Sequence, residues 1–173
     1  MNRRTSLKKL LVASGGLIAL PSWAQRWSLN DLTTHRSTFS LSNQETLASV
    51  TDTIIPAGNS IGALSVGVDK FLQKLFDNCY EKEVQENIKT RLTALEASAK
   101  SAYGNSFASS DQIQRQTLLE NLSVSENKDE KEFFALIKSE TIRGFSTSRE
   151  IMLQFLNYKI LPGHYYGCVD VNA

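Results

Sequence analysis

Apolar side chains recur at helical spacing along most of the chain between residues 42 and 156. One clean stripe has five members at positions i, i+3, i+4, i+7 and i+8: Val68, Phe71, Leu72, Leu75 and Phe76. A longer stripe with a charged opposite face predicts a helix over 82–103. No segment shows the alternation of apolar and polar residues that is typical of strands. The pattern predicts an all-α fold, a single small bundle-like domain of five or six helices.

Capping and stop signals divide the first half of this pattern. Ser42 with Glu45 three positions later is typical of a capping box, and Leu41 before it is placed to pack on the first turn. Pro56 ends the helix that starts there, because the residue before a proline avoids the helical region. The small and glycine-bearing residues 56–67 then predict a loop.

Similar signals divide the second half. Asp111 predicts the start of one helix, and Gly144 is predicted to end the next. Residues 146–148 can cap a last helix, and residues 157–173 form an irregular C-terminal tail. The apolar face of the last helix is predicted to comprise Ile151, Met152, Phe155 and Leu156.

The amino terminus has the three parts of a secretory signal peptide. Residues 1–9 are basic and polar, and residues 10–20 are apolar. Ser22 and Ala24 then place small residues at positions −3 and −1, which predicts cleavage after Ala24. The apolar run is too short to span a bilayer, which takes about 20 helical residues.

A pair of arginines near the start is similar to the twin-arginine export motif, Ser/Thr-Arg-Arg-x-Phe-Leu-Lys. Arg3, Arg4, Leu7 and Lys8 match it, whereas the Phe position holds Ser6. The alternative is an ordinary signal that carries two arginines by chance. The twin-arginine interpretation is favoured, and it predicts export of a folded protein to the periplasm.

Three segments follow from these features: a signal peptide over 1–24, a polar leader arm over 25–41 and the helical domain over 42–173. The arm has no apolar period, so two hypotheses stay open, a disordered arm or an arm lying along a partner. Without the signal, the chain keeps 15 of its 19 basic residues and all 18 acidic residues, so its net charge is negative. A mildly acidic protein has no electrostatic reason to bind nucleic acid or an anionic membrane.

Two cysteines remain after the signal, Cys79 and Cys168. An oxidising compartment permits a disulfide between them. Two unpaired thiols, or a bond from Cys168 to a partner chain, are equally open, because spacing does not fix connectivity.

Residues for catalysis or metal binding are not clustered in this sequence. The two histidines, His35 and His164, lie at opposite ends of the chain. No phosphate-binding loop, nucleophile elbow or covalent-haem motif occurs. Asp52 and Asp69 are expected to be solvated surface acids. We therefore expect no catalytic, cofactor or metal site in this chain.

The C-terminal tail is rich in aromatic residues, proline and glycine, as are many binding loops. The candidate partner interface combines it with the loop at 56–67 and comprises Pro56, Tyr158, Pro162, Tyr165 and Tyr166. The alternative is that the tail wraps around its own bundle.

Taken in order, several segments of the chain resemble a known family. They include 51–56 with 66–71, Tyr103-Gly104 with Phe107 and Leu118-Leu119, 133–134 with 141–148, and 156–158 with the ending 162–168. On these residues the chain resembles the small subunit, subunit 3, of membrane-bound gluconate 2-dehydrogenase and related flavin-dependent sugar dehydrogenases.

The resemblance implies a complex. A large flavoprotein of the glucose–methanol–choline type would hold FAD and oxidise a sugar or polyol, and a cytochrome c subunit with haem c would pass electrons on. The small subunit would hold no cofactor, carry the export signal, assist maturation or stability of the flavoprotein, and meet the inner membrane only through the complex. The alternative is an independent periplasmic binding or structural module.

Overall fold

The structure, a computed structural model, describes residues 35–158. Within that range it contains six α-helices, one 3₁₀ helix at Leu64–Val66 and no strand, which confirms the predicted all-α fold of five or six helices. The α-helices are α1 Leu41–Ile54, α2 Val68–Cys79, α3 Lys82–Tyr103, α4 Gln112–Val124, α5 Lys128–Thr147 and α6 Arg149–Gln154.

Short connections hold the ends of successive helices together at two places in the bundle. Two residues join α2 to α3, and residues 125–127 join α4 to α5. Contacts between distant residues join further ends. Gln112 at the start of α4 donates a hydrogen bond to the carbonyl of Thr53 near the end of α1. Gly144 late in α5 lies against Val68 at the start of α2. We call the end that holds the carboxyl ends of α1 and α5, the amino ends of α2 and α4, and α6 the upper end. The opposite end, with the amino end of α1 and the carboxyl ends of α2 and α4, is the lower end.

The core forms where the predicted apolar stripes face one another. Every long helix contributes, and the fully buried side chains include Leu47, Val50, Leu72, Phe76, Ile88, Leu92 and Ile137. Helix α3 has the predicted bounds. It ends because Gly104 adopts a left-handed backbone (φ 74°) and donates its N–H to the carbonyl of Lys100 at 3.0 Å.

The start of α1 differs from the prediction by two residues. Ser40, not Ser42, caps the helix, and its Oγ accepts the N–H of Asn43 at 3.2 Å. Leu41 is the first helical residue and is exposed. The capping box predicted at Ser42 is therefore wrong, because an equally good capping residue lies two positions earlier in the chain.

Gly144 does not end α5, which continues to Thr147. It lies where α5 crosses α2, and a Cβ there would stand 2.7 Å from Phe71 Cδ1 and 3.3 Å from Val68 Cγ1. The glycine therefore permits a close helix crossing. The prediction that Gly144 ends the helix was wrong, because a glycine inside a helix can also allow close contact with a neighbouring helix.

Only one side chain of the predicted apolar face of α6 is buried. Ile151 packs inward, whereas Phe155 and Leu156 are more than half exposed. The helix ends at Gln154, so the last two of these residues leave the helical path before they could share a face with Ile151.

The last residues of the leader arm pack on the bundle. Phe39 is buried, and its ring centroid lies 6.5 Å from that of Phe76. The described part of the arm, residues 35–40, therefore contributes to the core of the domain.

Replacing Gly144 with Val is expected to lower the free energy of unfolding by about 1–3 kcal/mol, since the added methyl groups must displace Phe71 from the crossing. Urea unfolding measures the change. Gly58→Val is the control, because a Cβ at Gly58 meets no atom within 4 Å. Equal stability of the two variants would contradict the proposed crossing.

Candidate functional site

The loop after α1 folds back on itself. The N–H of Ala63 donates to the carbonyl of Ile55 at 2.9 Å, which closes the loop at its base. Gly62 packs so tightly that a Cβ there would lie 2.4 Å from the backbone nitrogen of Ala57. Pro56 and its neighbours to Ser60 stay exposed. The predicted interface residue Pro56 thus lies on a compact, solvent-facing loop.

The chain after α6 exposes apolar surface. Leu153, Phe155, Leu156 and Tyr158 are each between 43% and 57% exposed. The backbone turns at Asn157 (φ 48°), and the N–H of Tyr158 donates to the carbonyl of Met152 at 2.9 Å. Tyr158, the second predicted interface residue in the described range, is therefore held beside α6.

The fold brings Pro56 and Tyr158 to the same end of the bundle. Pro56 follows the carboxyl end of α1, and Tyr158 follows α6, which comes directly after α5. The other three predicted interface residues, Pro162, Tyr165 and Tyr166, lie outside the described residues.

The two acids predicted to be solvated are instead partly buried. Asp52 accepts a hydrogen bond from Arg115 at 3.2 Å, and the same guanidinium reaches the carbonyl of Ser49 at 3.5 Å. Asp69 occupies the first turn of α2, where burial raises the pKa of its carboxyl although local backbone N–H groups oppose the rise. Asp52 therefore ties α1 to α4.

A buried carboxylate at the other end of α2 fixes the leader arm. Asp77, whose side chain is 3% exposed, accepts hydrogen bonds from the N–H and hydroxyl of Thr38 and from His35 Nε2 at 2.8 Å. Burial raises the pKa of Asp77, but the hydrogen bonds from Thr38 and His35 outweigh it and hold that pKa below its usual value. The sequence analysis missed this contact, because the partners are about 40 positions apart; Phe39, a large apolar residue in a polar arm, was its only signal.

The remaining sequence predictions fall mostly outside residues 35–158. The export motif residues Arg3, Arg4, Leu7 and Lys8 and the cleavage residue Ala24 lie before that range. Cys79 is exposed at the end of α2. Cys168 lies beyond the described range, so the bond between these cysteines stays a prediction.

Two searches of the described part of the chain are relevant to chemistry. Residues 35–158 contain no group of three or more His, Cys, Asp or Glu side chains placed to hold a metal ion. None of the helices in that range combines the length and hydropathy needed to cross a membrane.

Comparison with known protein families gives a match that covers most of the helical domain. A family model described as "Gluconate 2-dehydrogenase subunit 3" matches residues 42–163. The chain belongs to the gluconate 2-dehydrogenase subunit 3 family. No curated protein and no solved structure shows a significant match to it.

The subunit 3 resemblance noted in the sequence is thus confirmed, and the structure shows how two of its segments meet. Segment 66–71 supplies Val68 and Phe71, and segment 141–148 supplies Gly144, which lies against both. The family name implies association with the other subunits of a gluconate dehydrogenase.

Replacing Asp77 with Asn is expected to lower the free energy of unfolding of this subunit 3 chain by roughly 1–3 kcal/mol at neutral pH, because a buried acceptor of three hydrogen bonds is weakened. The folded pKa of Asp77 lies below its unfolded value. Its contribution is therefore present above about pH 4 and lost as the pH falls through the folded pKa.

Urea unfolding at a series of pH values tests this. Wild type should lose stability more steeply than Asp77→Asn below about pH 4. Glu126→Gln, at an exposed connector position, is the control and should follow wild type. Parallel profiles for wild type and Asp77→Asn would contradict the role given to this carboxylate.

Proposed function

We propose that this chain is the non-catalytic accessory subunit of a periplasmic FAD-dependent sugar or polyol dehydrogenase. The observation that carries the proposal is the subunit 3 family match, which spans residues 42–163 and so covers nearly all of the helical domain. The apolar surface exposed beside α6 supports it, because a small bundle that acts as a subunit needs a surface for its partner.

The partner supplies the redox chemistry. We expect a large flavoprotein to hold FAD and oxidise the substrate, with a cytochrome c subunit carrying haem c as the electron acceptor. This chain contributes stability or assistance in maturation to the flavoprotein, and it reaches the inner membrane only through the complex.

The export motif gives the chain a second role. A twin-arginine signal directs proteins that fold before transport, and a flavoprotein that takes up FAD in the cytoplasm is such a cargo. The signal on this chain would therefore serve a partner that lacks one. Arg3 and Arg4 are the residues on which this role depends.

Replacing Arg3-Arg4 with Lys-Lys is expected to leave both this chain and the flavoprotein in the cytoplasm, because a lysine pair keeps the charge but lacks the guanidinium groups that the pathway recognises. Fractionation and immunoblotting of both proteins measure the effect. Arg26→Lys, the same exchange outside the motif, should leave export unchanged. Normal export of the flavoprotein with the Lys-Lys variant would overturn the escort role.

Capture of the tagged chain from periplasmic extract tests the complex itself. The expected result is a co-purifying protein with flavin absorbance that mass spectrometry identifies as a flavin-dependent dehydrogenase. A stable monomer that purifies without it would instead favour the independent binding module. Sugar oxidation by the isolated chain, without flavin or haem, would contradict the non-catalytic role.

A further inference from the structure

Building on the proposed function, we propose that the upper end of the bundle is the surface that docks the flavoprotein subunit. This surface extends the interface predicted from the sequence, because it adds the first turn of α4, the last third of α5 and α6 to the loop at 56–67.

The exposed apolar side chains of the described chain are concentrated at this end. Residues 35–158 contain nine large apolar side chains that are exposed, and only Leu41 and Val124 lie at the lower end. The upper end holds Tyr158 and, in addition, Leu64, Ile113, Ile142, Leu153, Phe155 and Leu156. Scattered apolar side chains are normal on a protein surface, whereas their concentration at one end indicates an interaction site.

Specific contacts hold these elements together. Gln112 Nε2 donates to the carbonyl of Thr53 at 3.4 Å, which places neighbouring Ile113 beside the end of α1. Val68, directly after the 3₁₀ helix and Gly67, lies against Gly144 of α5. The loop, α4 and α5 therefore present their exposed side chains on a common end that the core fixes in place.

The charge pattern favours a protein partner. Residues 53–68 contain no charged side chain, and the adjacent Asp52 is paired with Arg115. Charge depletion at the centre is a property of protein–protein interfaces. Charged residues of both signs surround this centre: Lys70 and Arg149 are basic, and Asp111 and Glu150 are acidic. A membrane-binding face would instead carry an excess of basic residues.

The chain beyond the described residues starts from the same end. Fifteen residues follow Tyr158, and fifteen extended residues reach at most about 50 Å. They include three of the interface residues predicted from the sequence, Pro162, Tyr165 and Tyr166, and this length of chain is enough to reach a partner bound at the upper end. This continuity is a further reason to assign the flavoprotein to this end.

Charge substitution at matched positions tests the assignment. The full chain is co-expressed with the flavin-dependent dehydrogenase of its own host, and the dissociation constant of the complex is measured with purified proteins. Ile113→Lys (77% exposed) and Val124→Lys (74% exposed) place the same charge at the upper and lower ends of one helix, α4. Phe155→Lys and Leu41→Lys form a second pair. Circular dichroism and thermal unfolding check that each variant folds.

We expect both upper variants to weaken the complex by roughly tenfold or more and both lower variants to leave it unchanged. Equal affinity of upper and lower variants, in a complex that wild type forms, would overturn the assignment and leave the proposed function standing. Loss of binding on removal of 159–173, with no effect of the upper variants, would also overturn it. A wild-type chain that binds no flavoprotein would overturn both.

Discussion

Helix α5 crosses α2 at a position where α5 has no side chain, and the arrangement of the upper end depends on that crossing. Gly144 allows the ring of Phe71 and the side chain of Val68 to lie directly against the α5 backbone. Because Val68 begins α2, the same contact holds the preceding loop beside the end of α5, and α6 continues from there. A glycine in a helix interior costs about 1 kcal/mol relative to alanine; the close packing it permits offsets that cost.

The bundle that results is polarised. Its lower end carries the buried Asp77, which holds the leader arm, and its upper end carries most of the exposed apolar surface. Any export signal on the arm is therefore connected to the domain at the end away from the proposed docking surface. This separation is consistent with the proposed function, in which the chain binds a folded partner and carries the export signal.

Local patterns predicted the helices well. Apolar spacing located every long helix, and the bounds of α3 and the stop at Pro56 were correct, because neighbouring residues determine them.

The errors of the sequence analysis concern contacts between distant residues. The role of Gly144 in a helix crossing is not visible in the sequence, because its partner Phe71 is 73 positions away. The pairs Asp52–Arg115 and His35–Asp77 are likewise separated by 63 and 42 positions. The exposure of Phe155 and Leu156 was also missed, because apolar periodicity does not show that this short helix ends at Gln154. Two of the predicted interface residues, Pro56 and Tyr158, lie in the described range and share one end of the bundle, but only packing reveals that Ile113 and Ile142 join them.

Hydrogen exchange of backbone amides, compared between the free chain and its complex with the flavoprotein, tests the polarised surface most directly. The account predicts slower exchange in the complex over residues 53–65, 112–115 and 149–158, with little change over 41–45 and 120–127. Protection confined to the lower end, or spread evenly over both ends, would contradict it.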